Sequence, residues 1–139
     1  MPLLLTSFFI LCAGAVLPLI FNATPRWATR AGQSGAVLGG LLALMSGLRA
    51  LPAAQELSIR MPWPVPGGAF YIGLDPLSGF FLLPIALLSA LGAVYGGAYL
   101  LAHRGTRPAG PPWFFYNLLT ASMILVVVSR NAVLFLAAW

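Results

Sequence analysis

Two carboxylates, one imidazole and one thiol are the side chains in this 139-residue sequence best suited to acid–base, metal or nucleophilic chemistry, and they stand far apart. Asp75 is the sharpest of them, because an acid beside a long apolar run can hand on protons inside a membrane. Its setting, "LDPLS", suits a second role equally well. An Asp ahead of a proline at the first helical position accepts backbone N–H bonds that the helix leaves open. Both readings of Asp75 stand, proton path or structural cap, with capping preferred. Glu56 and Arg60 are four apart and read as a solvated pair. His103 titrates near neutral pH in principle, yet it sits beside Arg104 in a basic stretch and reads as solvated too. Cys12 lies inside an apolar run and reads as a small packing residue. A single cysteine excludes an intrachain disulfide or a cysteine-based metal site. The sequence has no Gly-rich phosphate loop, no nucleophile–base pair, no metal-ligand spacing and no histidine pair for haem. No catalytic, metal or cofactor site is therefore expected in the chain.

What must hold these residues is decided by composition. Hydrophobic residues make up 60% of the chain and charged residues 6%; the mean hydropathy is +0.96. A soluble domain is about 25% charged, so this chain has too little polar surface to face water. It predicts an all-α integral membrane protein. The net charge of +5 comes from seven arginines against Glu56 and Asp75, with no lysine. Those arginines fall between apolar stretches rather than in one patch, which sets topology and argues against a nucleic-acid partner.

Four stretches are long enough to span, at about 2–21, 35–51, 77–101 and 113–129, followed by a short run at 132–139. A span takes ~20 residues, so the last run is read as an incomplete fifth helix, about a dozen residues short. None of the long stretches shows the alternation of a membrane β-strand. "AGA" at Ala13–Ala15 resembles a cleavage site, but a basic start is missing and the apolar run continues; the first helix is read as retained. The whole of 1–139 is read as a single membrane domain, a bundle of four helices plus the truncated fifth. Small residues four apart, Gly35 and Gly39, Ala43 and Gly47, Gly92 and Gly96, mark faces where helices can approach closely. Pro84 frees a carbonyl inside the third helix.

Between the second and third helices, 52–75 is patterned differently. Leu57, Ile59 and Met61 alternate with polar residues, and Phe70, Ile72 and Leu74 alternate again after Gly67–Gly68. This predicts an extended or hairpin-like segment, with prolines at 62, 64 and 66 ruling out a regular central strand. Trp63 and Tyr71 suit an interfacial position. Arg26, Arg30, Arg104 and Arg107 fall on one side of the membrane, and Arg49, Arg60, Arg130 and both acids on the other. The positive-inside rule then puts 52–75 and the N-terminus outside the cytoplasm, in a multi-pass protein of the inner (cytoplasmic) membrane.

The second half carries a resemblance. "LDPLSGFFLLPIALLSALGAVYGGAYL" and "FFYNLLTASMILVVVSRNAVLFLAAW" are similar to the N-terminal part of antiporter-like proton-translocating membrane subunits. These occur in respiratory complex I (NADH:quinone oxidoreductase), Mrp-type cation/proton antiporters and membrane-bound hydrogenases. "FFYNLLTASM" most resembles the hydrogenase-4 and formate hydrogenlyase branch. Asp75, Leu77 and Ser78 match the start of the family's third helix, and Tyr95 and Tyr99 its end. Asn117, Ser122 and Met123 match its fourth, and Asn131 and Trp139 the approach to its fifth. The resemblance implies that a proton-path glutamate would follow Trp139 and that lysines would lie further on, so the 139 residues are expected to be an N-terminal fragment, inactive alone.

Two functions follow. The first is part of a membrane subunit that couples electron transport to proton movement. It would be a subunit of an NADH dehydrogenase (quinone) or hydrogenase type of translocase, without redox catalytic residues of its own. The resemblance then implies partners among the membrane and peripheral subunits of a respiratory or hydrogenase complex, besides the lipid bilayer. The second is a small complete membrane protein with a structural or assembly role; a piece of a Mrp-type antiporter subunit is a further alternative.

Overall fold

The computed structural model describes residues 1–102 and 108–139. Its elements run α1 (Pro2–Ile20), α2 (Pro25–Ala50), β1 (Leu57–Pro62), β2 (Ala69–Leu74), α3 (Pro76–Ala102), α4 (Gly110–Val128) and α5 (Ala132–Ala138). Proline stands in the first turn of each of the first four helices, where its missing N–H costs nothing and its φ is already helical. Interior prolines are tolerated as well. α1 runs through Pro18 and α3 through Pro84.

The second helix departs from the expected 35–51. It starts ten residues earlier, at Pro25, and leaves only 21–24 as the link from α1. Residues 25–34 contain two arginines, a threonine, a glutamine and a serine, too polar for an apolar-run reading. They are helical because the polarity is one-sided. Ala28, Thr29 and Gly32 face inward, while Trp27, Arg30 and Ser34 face outward.

α2 is the hub, packed on α1, α3 and α4. Ala28, Ala36, Ala43 and Ala50 are at most 4% exposed and recur about every two helical turns, so one narrow stripe of α2 meets its neighbours. The glycines do the rest. A Cβ on Gly35 would lie 2.5 Å from the Gly14 Cα, and one on Gly47 would lie 2.9 Å from the Gly79 carbonyl oxygen. Such contacts replace the hydrophobic drive that lipid does not supply.

Away from the N-terminal end of α2, the outward faces are largely apolar. Phe9 is 72% exposed and Leu88 68%, a surface that only hydrocarbon can solvate. Together with four helices of 19 to 27 residues, long enough for a ~30 Å core, this makes the chain a membrane protein. Cys12 lies on this outer surface and not in the packing between helices. Its place next to buried Leu11 and about one turn before buried Ala15 looks interior in one dimension but not on the helix wheel.

β1 and β2 form a two-stranded antiparallel hairpin with Ile59 opposite Ile72 and Arg60 opposite Tyr71. Pro62 ends β1, where no ladder N–H is needed. Gly67 takes φ +73 in the turn, a backbone that side chains with a Cβ rarely adopt. The inner face of β2 plugs one end of the bundle. Ile72 and Leu74 are buried against Leu4, Leu82, Ile124 and Val128.

Candidate functional site

The two acids at the hairpin end converge on one residue. Arg130, in the link between α4 and α5, sets its Nε 2.9 Å from Glu56 Oε1 and its Nη2 2.9 Å from Asp75 Oδ2. Nη2 also donates to Ser78 Oγ at 3.3 Å, and the Ser78 hydroxyl donates to the Val127 carbonyl at 3.2 Å. The backbone joins in, since Arg130 N–H donates to the Tyr71 carbonyl at 2.8 Å and Ser129 bridges Ile72. Next in sequence, Asn131 caps α5 by accepting from Val133 and Leu134 N–H, and its Nδ2 donates to the Gly67 carbonyl at 3.1 Å. One tripeptide thus fastens both ends of β2. Gly73 is where the clamp passes closest, and a Cβ there would run into the Glu56 carboxylate and the Arg130 side chain.

Glu56 is therefore not paired with Arg60, although the two stand four apart. Four residues along a strand span ~13 Å, whereas the same spacing on a helix makes neighbours. Arg60 lies instead over the Tyr71 ring opposite it, 5.6 Å from the centroid.

Asp75 holds two positions at once. Its Oδ1 accepts the Ser78 backbone N–H at 2.7 Å, the geometry of a helix cap on α3, while Oδ2 faces Arg130. Ser78, first through its backbone N–H and then through its side chain, and Arg130 more weakly, hold the Asp75 pKa down at about 2. The same pairs push the Arg130 guanidinium up, Glu56 most. A carboxylate this acidic stays ionised at neutral pH and is a poor proton relay. Because the folded value lies below the unfolded ~3.9, its contribution is complete above pH ~4 and is lost as pH falls toward about 2. Asp75 is 30% exposed, so solvent screening reduces the contribution to about 1 kcal/mol. Thermal unfolding in detergent at pH 6, 4 and 2.5 should show that loss in the wild type and not in Asp75→Asn. Equal acid sensitivity in both would remove Asp75 as its source.

A second polar centre lies deep in the bundle. Asn117 on α4 is fully buried, and its Nδ2 donates to the Gly32 carbonyl of α2 at 3.1 Å and to the Trp113 carbonyl at 2.9 Å. Its Oδ1 has no conventional partner. It faces the crossing of α1 and α2, where a Cβ on Gly14 would lie 2.8 Å from it, a setting for weak C–H···O contacts from glycine. Ser7 adds a direct tie, its hydroxyl donating to the Gly39 carbonyl at 2.7 Å. These bonds join α1, α2 and α4 in the way that polar side chains join membrane helices.

His103, Arg104 and Arg107 fall at 103–107, outside the described residues. Among those described, no group of three or more His, Cys, Asp or Glu could hold a metal. The two acids and Arg130 form a structural clamp, and no acidic or basic side chain shares α4 with the buried amide.

No protein-family model matches the chain. Over 134 residues it is 27% identical to hydrogenase-4 component B of Escherichia coli (strain K12). The chain resembles a hydrogenase membrane component. That similarity covers 96% of this chain and 20% of the relative, so the chain spans about a fifth of the length of the curated protein it matches. It includes the first two helices as well as the Asp75–Trp139 half on which the resemblance was drawn. Sequence reasoning missed Arg130 as the hub, since its partner Glu56 is 74 residues away. The signal for Asn117 was present, one amide within an apolar run.

Proposed function

We propose that this chain is part of an antiporter-like membrane subunit of hydrogenase type, one that couples electron transport in partner subunits to proton movement. The similarity to hydrogenase-4 component B over 96% of the chain carries this reading. The role of these residues within such a subunit is to build and seal a helical wall. No charged side chain occurs in the middle of α1, α3 or α4, and both acids are engaged by Arg130. Any proton route through the subunit would therefore draw its ionisable groups from elsewhere. The membrane is the inner one, with the hairpin and the N-terminus outside the cytoplasm, because Arg26 and Arg30 stand at the acid-free end.

Affinity-tagged chain, extracted from its own cells in mild detergent, should bring down a subunit that carries redox centres. Recovery of the chain alone would overturn the reading. It would favour a structural membrane protein, the alternative that the uncharged middles of α1, α3 and α4 support. In liposomes with an internal pH dye, the purified chain should leave an imposed gradient to decay at the lipid-only rate. Faster decay, abolished by Asp75→Asn, would make Asp75 a proton carrier.

Orientation is tested separately. With Cys12→Ala as background, Ser58→Cys should react with an impermeant maleimide in intact cells and Thr24→Cys should not. The reverse pattern would invert the topology.

A further inference from the structure

A groove runs along the outer face of the bundle, between α1 and α2. It is about 470 Å³ in volume, with walls from Ala13, Gly14 and Leu17 on one side and Ala31, Gly35 and Leu38 on the other. Its floor is the Gly14–Gly35 crossing, where the backbones come as close as they can. At one end stands Arg30, its guanidinium 5.4 Å from the centre of the Trp27 ring, and Trp27 is itself 60% exposed.

The charge on Arg30 has no match nearby. Among the described residues no ion pair reaches it, and both acids of the chain are held by Arg130 at the far end of the bundle. A cation at the border of hydrocarbon is costly unless it reaches water or meets an anion. The distance from Arg30 to Leu38 along the helix is ~12 Å, close to one leaflet of a ~30 Å core. A guanidinium at headgroup depth, an aromatic ring beside it and an apolar trough one leaflet deep together match one kind of molecule.

We propose that this groove binds an anionic phospholipid, its phosphate paired with Arg30 and one acyl chain lying over the Gly14–Gly35 crossing. The planar guanidinium donates two parallel N–H bonds to a phosphate, and Trp27 holds it at the level of the headgroups. The acyl chain fills the trough that small residues leave open. A lipid seated there would staple α1 to α2 at their closest contact.

The test uses the full chain in an uncharged detergent, with phosphatidylglycerol or phosphatidylcholine of identical acyl chains added. Native mass spectrometry should show one retained phosphatidylglycerol, held about tenfold better than phosphatidylcholine, and a higher Tm with the anionic lipid. Arg30→Gln should abolish that preference, whereas Arg49→Gln, at the other end of α2, should keep it. Comparing the two lipids within each variant removes any effect of the substitution on folding. Ala13→Phe, which narrows the trough, should weaken retention of both lipids and leave the preference for the anionic one. Equal retention of the two lipids by the wild type, or an undiminished preference in Arg30→Gln, would overturn the proposal. A dimer that excludes the lipid and disappears in Arg30→Gln would also overturn it, by assigning the groove to a second copy of the chain.

Discussion

Leucine in place of Gly35 is expected to break the bundle. Any Cβ at that position meets the Gly14 Cα at 2.5 Å and the Gly14 nitrogen at 3.3 Å, and backbone cannot swing aside as a flexible side chain would. Helices α1 and α2 must part. The Ser7–Gly39 and Asn117–Gly32 hydrogen bonds depend on the present spacing and would stretch with it. Overpacking alone costs about 1–3 kcal/mol, and each buried polar group left unpaired adds about 1–3 more. Against a total stability of about 5–15 kcal/mol, Gly35→Leu should leave little or no folded protein. Circular dichroism during titration with a denaturing detergent would measure it. Gly96→Ala is the control, since a Cβ there meets only Trp113, at 3.8 Å, an ordinary contact. If the two variants unfold at the same midpoint, α1 and α2 do not cross at Gly14 and Gly35.

Arg130→Ala should release the hairpin and spare the helices. It removes two ion pairs and the bond to Ser78, and it leaves Glu56 and Asp75 facing each other without a cation. The side chains involved are 26% to 39% exposed, so each pair contributes at most ~1 kcal/mol. Together with the new repulsion the loss is about 2 kcal/mol. That corresponds to a ~30-fold rise in local opening. Hydrogen exchange at 70–74 should quicken by that order, while amides in the middle of α2 should not change. Arg130→Lys should rescue only partly, because an ammonium carries its three N–H groups on one nitrogen, whereas Arg130 meets Glu56 and Asp75 from two nitrogens held apart by the guanidinium plane. Unchanged exchange in Arg130→Ala would mean that the backbone ties of Arg130 and Ser129 hold β2 without the side chain.

The spanning helices are legible in the sequence because lipid imposes a length and an apolarity that few other structures share. The hairpin is legible from its alternation and from Gly67–Gly68. The N-terminal third of α2 is not, because helix amphipathicity and loop polarity look alike when Arg26, Thr29, Arg30, Gln33 and Ser34 are counted without their directions. The clamp is hidden for a different reason. A strand carries Glu56 away from Arg60, and only the closing of the chain brings Arg130 to it. Asn117 could be singled out as polar in an apolar helix, but its partner is a backbone carbonyl, which leaves no trace in residue types.

The position of Arg130 along the chain also sets a schedule. Glu56 is made 74 residues before the arginine that holds it. At about 5–20 residues per second, the ribosome takes roughly 4–15 s to cover that interval. During that time β1 and β2 have each other but neither their latch nor the α4 surface beneath Ile72. The flap has only Leu4 and Leu82 to rest on while α3 and α4 are threaded into the bilayer, and it locks only after the fourth span has been delivered. Closure of the hairpin therefore marks the completion of the four-helix wall, and a nascent chain halted before Arg130 would present its flap to proteases and insertion factors.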